Sequence, residues 1–236
     1  MRTPSMLFTR AKDILRTEGL ISLVNRVAAF LIRPFFRYKT FYLYEHTMGN
    51  YNEADFMPRI QDFTFKLIST NQQASELAAN GFEDFRSRFL NVRHRLDNEA
   101  VAFCIFHGLE AAHIGWVAMT EKAKSTIDSF PYQVHFSDNQ ACTGGTYTVP
   151  KYRGKGFMNY GYFKRLEYLR KHGVTTSRNA VNTSNITSQK VHAKFGPTIY
   201  ARARYIKILW WQFWKEVPIV HTGVTNLSNL PPAATE

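Results

Sequence analysis

The residues best suited to chemistry fall between Val149 and Gly196 of the 236-residue chain. Val149-Pro-Lys-Tyr-Arg153-Gly154-Lys155-Gly156-Phe157-Met158 reads as a strand end, a glycine-rich turn and the start of a helix. The two glycines let the backbone bend tightly and come close to a ligand. The amides of such a turn and of the first helical residues have no intrahelical partner. Together with the helix dipole they favour a phosphate. Lys151, Arg153 and Lys155 add positive charge at the same place. The segment is neither a Gly-Lys-Ser/Thr nucleotide loop nor a Gly-x-Gly-x-x-Gly fingerprint.

A second group lies downstream. Asn185, Ser188 and His192 are spaced i, i+3 and i+7, so a helix places them on one face. Three polar groups on one stripe beside a strand end could face a ligand. The competing reading is an N-capping Asn, a solvated helix and a structural His.

The elements that must position these residues follow from the hydrophobic pattern. Residues 142–149 predict a strand, 157–171 a helix closed by Gly173, and 175–181 a strand. A short helix over 185–195 stops at Gly196-Pro197, and a long strand covers 198–209. Upstream, alternation over 63–67 predicts a strand, and 72–95 reads as helical with a break at Asn80-Gly81. Val101–Phe106 and His113–Met119 predict a hairpin turning at Gly108. Residues 122–140 read as irregular. Residues 5–18 and 20–32 read as helices, followed by a basic aromatic stretch from Phe35 to Tyr44. The expected organisation is a helical segment over 1–58, a catalytic-type domain over 59–215 and a tail over 216–236. Strands and helices alternating in this way predict a mixed α+β or α/β class.

The two motifs together resemble the GCN5-related N-acetyltransferase (GNAT) superfamily. Arg153-Gly154-Lys155-Gly156-Phe157-Met158 matches its Arg/Gln-x-x-Gly-x-Gly/Ala signature. The superfamily then carries Asn-x-x-Ser/Ala, a Tyr four residues later and a Lys-x-Gly ending, and Asn185, Ser188, His192 and Lys194-Phe195-Gly196 stand at those positions here. The likeness is clear over 141–209, weaker over 62–120 and absent over 1–58. It implies a central, mostly antiparallel twisted sheet flanked by helices, with an extra N-terminal helical segment here. It also implies transfer of an acyl group, usually acetyl, from acetyl-CoA or another acyl-CoA to an amine on a small molecule or peptide. By the same resemblance Val149, Arg153, Gly154, Lys155, Gly156, Phe157, Met158, Asn185 and Ser188 would hold the coenzyme. His192 would stand where the family's acid tyrosine does, protonating the leaving thiolate. Two departures are plain: Met158 replaces a small residue, and His192 replaces that tyrosine. Glu110, His113, His135 and Asp138 are candidates for the general base, and none is assigned.

Composition sets the remaining bounds. Residues 151–215 carry fourteen Lys/Arg against one acid, +13, and residues 1–40 carry eight against two, +6. Such fields attract polyanions, including a phosphorylated coenzyme. Residues 1–44 could bind an anionic membrane surface or a second copy of the chain. Helix-turn-helix and zinc-finger signatures are missing, so nucleic acid is the weaker partner. A non-catalytic binding module and an inactive coenzyme sensor are the alternative functions. Two cysteines, Cys104 and Cys142, exclude a disulfide framework and a thiolate metal cluster. No metal site is expected. A cytoplasmic location, peripheral to the membrane if residues 1–44 bind it, is expected.

Overall fold

The computed structural model describes residues 36–219. They form eight strands: β1 Phe36–Thr47, β2 Phe63–Ile68, β3 Val101–His107, β4 Glu110–Ala118, β5 Gln140–Thr148, β6 Thr176–Asn182, β7 Thr198–Ile208 and β8 Trp211–Pro218. Six α-helices accompany them: α1 Asn71–Ala79, α2 Phe85–Arg88, α3 Val92–Asp97, α4 Glu121–Ile127, α5 Phe157–Lys171 and α6 Ile186–Ala193. The hydrogen-bonded strand order is β2-β3-β4-β5-β6-β1-β7-β8. The β1/β6, β2/β3, β3/β4 and β4/β5 pairs are antiparallel, and β5/β6 is parallel. The fold is thus a mixed α/β one, as the sequence predicts, with the mostly antiparallel sheet that the family resemblance implies.

Two compact units divide the chain. The larger comprises residues 41–202 with 217–236, and the smaller residues 1–40 with 203–216. In the smaller unit the described residues are the outer ends of β1 and β7 and most of β8. Trp210, Trp211 and Phe213 are exposed there.

In the larger unit β3 and β4 are apolar on both faces, because both faces are covered. Helix α5 packs over β3, β4 and β5, and α4 packs on β4 and β5. The alternation of a strand assigns the sides. His113 and Gly115 of β4 meet α5, whereas Trp116 lies beneath Arg95 of α3, 5.2 Å from its guanidinium carbon. The N-cap of helix α5 is Gly156, in the left-handed region (φ 93°) and without a side-chain cap. The helix ends at His172, and Gly173 (φ 75°) lets the chain turn so that Val174 N donates to Leu169 O. Phe157, Tyr160, Tyr162, Phe163, Leu166 and Leu169 are buried along it. Burial of this order, at ~1.5–3 kcal/mol for each large apolar side chain, holds α5 on the sheet.

Three elements depart from the sequence-based expectation. The aromatic stretch assigned to an N-terminal helical segment is strand β1 from Phe36 onward, with Phe41, Leu43, Tyr44 and His46 buried. Cross-strand pairing with β6, from Phe41↔Asn182 to Thr47↔Thr176, overrides the helix reading. The start of the stretch 122–140, expected to be irregular, lies in α4, capped by the Thr120 side chain on Ala123 N. Residues 211–218 form β8, where the expected domain ended and the tail began. The helices expected over 5–18 and 20–32 lie outside the described residues. So do most of the residues expected to meet a membrane or a second copy. No helix among the described residues is long and apolar enough to cross a membrane.

Candidate active site

The site opens where β5 and β6 part. They pair only from Gln140↔Thr176 to Cys142↔Arg178. Beyond that point the backbone edges of Thr143–Thr148 and Asn179–Asn182 diverge. A cavity of about 670 Å³ fills the wedge, lined from both strands, from the turn at Arg153–Met158 and from α6. On its other edge β5 stays bonded to β4, with a register shift between Ile114 and Trp116. Gly145 sits in this bulge at φ 57°. A Cβ there would stand 2.7 Å from Arg95 Nη1 and 2.9 Å from Trp116 Cδ1. Only glycine meets both the backbone conformation and the space.

Most of the predicted coenzyme residues come together. Arg153, Gly154, Gly156, Phe157, Met158, Asn185 and Ser188 line the cavity. Gly154 has φ 76° with nothing within 4 Å of a built Cβ, so its surface is open. Gly156 is needed for a different reason: a Cβ would meet Pro58 Cα at 3.1 Å. Met158 lines the cavity while packing against the apolar cluster under α5. Val149 and Lys155 stand outside the lining. Val149 N donates to Ala112 O at 2.9 Å, and Lys155 O accepts from Arg59 N at 3.0 Å. Both brace the turn. Asn185 is the N-cap of α6, its side chain accepting from Ser188 N at 3.1 Å.

His192 lies at the closed end of the wedge and is 3% exposed. Its Nδ1 is 3.0 Å from His46 Nε2, and its Nε2 is 3.2 Å from Asn179 Nδ2. With the Asn179 amide donating, His192 Nε2 accepts and Nδ1 carries the proton toward His46. The ring stacks on Tyr44 at 5.2 Å and meets Tyr162 edge-on at 4.6 Å. Burial, then His46, then Arg165 hold its pKa well below the usual histidine value. His192 is therefore neutral at physiological pH. This corrects the expectation that it serves as a protonated acid: desolvation disfavours the imidazolium.

The sequence reading missed four residues around His192. Tyr162 and Arg165 come from α5, Thr143 from β5 and Asn179 from β6, and all four line the cavity. Ser177 Oγ donates to Thr143 Oγ1 at 3.4 Å, and Thr143 Oγ1 lies 3.4 Å from Tyr162 Oη. Burial raises the Tyr162 phenol, so it stays protonated and able to donate. Tyr162 reads in sequence as one more apolar position of α5. Its neighbour in space, Thr143, is the signal that local spacing lacks.

Two base candidates are removed. His113 is fully buried, with Nδ1 2.7 Å from Thr148 Oγ1, and burial with Arg165 nearby pushes it down to about 3. Glu110 is bonded to Lys151, Arg88 and Tyr152, and these contacts hold its carboxyl at about 2. Neither lines the cavity.

The parted strand pair, the bulged strand, the glycine turn and the uncapped helix N-terminus belong to a fold similar to that of solved GNAT structures. No protein family's sequence signature matches the chain, and no curated protein sequence does. Solved structures are similar at low identity. A glucosamine N-acetyltransferase region of a fungal multi-domain β-N-acetylglucosaminidase shares 13% identity over 83% of this chain and 23% of its own, with TM-score 0.51. A tandem GNAT protein of clavulanic acid biosynthesis shares 16% over 86% and 59%, with TM-score 0.48. A GNAT-family acetyltransferase from Colwellia psychrerythraea shares 13% over 78% and 61%, with TM-score 0.47. The chain spans less than two thirds of each of these three.

Proposed function

We propose that the protein is an acyl-CoA-dependent N-acyltransferase, most simply an acetyltransferase acting on an amine. The observation that carries this reading is the edge of Thr143–Thr148 that lacks a strand partner where β6 parts from β5, running from the glycine turn to the closed end of the wedge. That edge offers backbone donors and acceptors to an extended, amide-containing arm. The amides of Phe157 and Met158, freed by the uncapped N-terminus, and Arg153 suit the phosphate end.

In this reading β5 amides would hold the thioester carbonyl and stabilise the oxyanion that forms on amine attack. Tyr162 would donate toward the departing sulfur. The neutral His192, fixed by Asn179 and His46, would orient that end of the cavity. Solvent would take the amine proton, since none of Glu110, His113, His135 and Asp138 lines the cavity.

Titration calorimetry with coenzyme A tests the reading. Binding that competes with acetyl-CoA is expected. A folded protein that binds neither would exclude the assignment and favour a coenzyme-independent binding module.

A further inference from the structure

Arg165 carries a charge that its surroundings leave unbalanced. It lies on α5 and is 1% exposed. Its Nε donates to Gly161 O at 3.1 Å and its Nη1 to Thr146 Oγ1 at 3.0 Å. The guanidinium carbon sits 4.7 Å from the Tyr162 ring centroid. All three partners are neutral. Arg165 takes part in none of the ion pairs formed among the described residues. Its Nη2 is buried with no hydrogen-bond partner. Burial lowers its pKa only to about 10, so it remains a cation at neutral pH. His46, His113 and His192 feel this charge and are neutral. One whole positive charge is therefore enclosed without an anion. Such an ion is strongly disfavoured unless a counter-charge arrives.

Arg165 also lines the cavity, at its closed end, with Thr143, Tyr162, Asn179 and His192. Nine helical steps separate it from Gly156, about 13.5 Å along α5. It is thus remote from the turn suited to phosphate, and it is a second, separate attractor of negative charge. The planar fork of an arginine matches a carboxylate. A single carboxylate would supply the missing charge.

We propose that Arg165 makes the closed end of this cavity a carboxylate subsite, so that one of the two reacting molecules carries a carboxylate to that point. The inference rests on the reading of the cavity as an acyl-CoA site. The carboxylate could come from the far end of the acyl chain or from the amine acceptor, and two arms of one experiment separate these sources. In the first, calorimetry compares succinyl-CoA and malonyl-CoA with acetyl-CoA on the wild-type chain, Arg165→Met and Arg165→Gln. In the second, thermal melting in saturating coenzyme A compares glycine, β-alanine and glutamate with their amides.

A carboxylate on the acyl chain predicts at least tenfold tighter binding of a carboxyacyl-CoA, abolished in both variants. A carboxylate on the acceptor predicts a rise in Tm with an amino acid but not its amide, again lost in both variants. A wild-type protein that binds coenzyme A yet shows no carboxylate preference in either arm overturns the proposal, even if the variants fail to fold. A preference that persists in the variants overturns it as well. Loss of coenzyme A binding by the wild type would instead remove the acyltransferase reading beneath it.

Discussion

The guanidinium of Arg165 fills the space that a side chain on Gly115 would need: a Cβ there would stand 2.8 Å from its central carbon. Strand β4 and helix α5 are thus fitted to each other around an arginine. Gly115→Ala should destabilise the fold by about 1–3 kcal/mol, the usual cost of overpacking. Adding Arg165→Met, which places a flexible thioether there, should recover at least half of that loss. Urea unfolding of the two single variants and the double variant measures the coupling.

The glycine turn can be tested without disturbing its backbone. At Gly154 the left-handed conformation is tolerated by Asn and Asp better than by other side chains, and the space around it is open. Gly154→Asp should weaken coenzyme A binding by at least tenfold, about 1.4 kcal/mol. Gly154→Asn, which differs in charge alone, should weaken it far less. Equal losses in calorimetry would mean that shape, not phosphate recognition, governs this turn.

Tyr162 should matter to turnover more than to binding. Tyr162→Phe removes the phenol and keeps the ring that packs on His192 and Phe195. If the phenol donates to the leaving sulfur, turnover should fall by about 10²-fold. Coenzyme A affinity should be nearly unchanged. An unaltered rate with an identified acceptor would return the protonation step to solvent.

Acid should unfold the protein through its buried histidines. His46 and His113 are pushed down to about 3, and His192 is lowered in the same direction. Between the ordinary histidine value and those depressed values, the unfolded chain binds protons that the native one refuses. Stability present above the ordinary value is therefore lost as pH falls through that window. Each histidine contributes at most about 1.4 kcal/mol per pH unit. Denaturant unfolding at pH 7 and pH 5 should show this slope, and it should be shallower in His46→Gln.

Both thiols should resist modification. Burial raises Cys104 well above its ordinary value and Cys142 to about 12. A thiolate-selective reagent should label neither in the native protein and both in guanidinium. Rapid labelling of the native chain would contradict their burial.

What could be read in the sequence was what local spacing controls. Helix α5 is found at its predicted limits, because a glycine stands at each end and the apolar stripe between them is regular. The β3/β4 hairpin is equally plain from two apolar runs about Gly108. Strand β1 was hidden because Phe41, Tyr42, Leu43 and Tyr44 are all aromatic or aliphatic, which blurs the alternation of buried and half-buried positions. Helix α4 is short and buries Lys124, whose ammonium donates to Phe130 O, so its apolar periodicity is weak. Strand β8 is exposed at nearly every position and leaves no alternation to detect. The same division holds in the site. The turn and the α6 face are local and were legible. The contact between His46 and His192 joins residues 146 apart. Nothing in the spacing of either motif announces it, nor the solitary charge of Arg165.

The central position of β1 bears on how the chain is made. Its register partners in β6 are residues 176–182, and its other neighbour, β7, comes later still. On the ribosome, β1 emerges long before either flank exists. At a synthesis rate of about 5–20 residues per second, its apolar side chains wait for many seconds without cover. Joining ends so far apart also slows the final closure of the sheet. The strand made first among those described is among the last to be seated, and until then Phe41, Leu43 and Tyr44 are open to capture by chaperones or by other nascent chains.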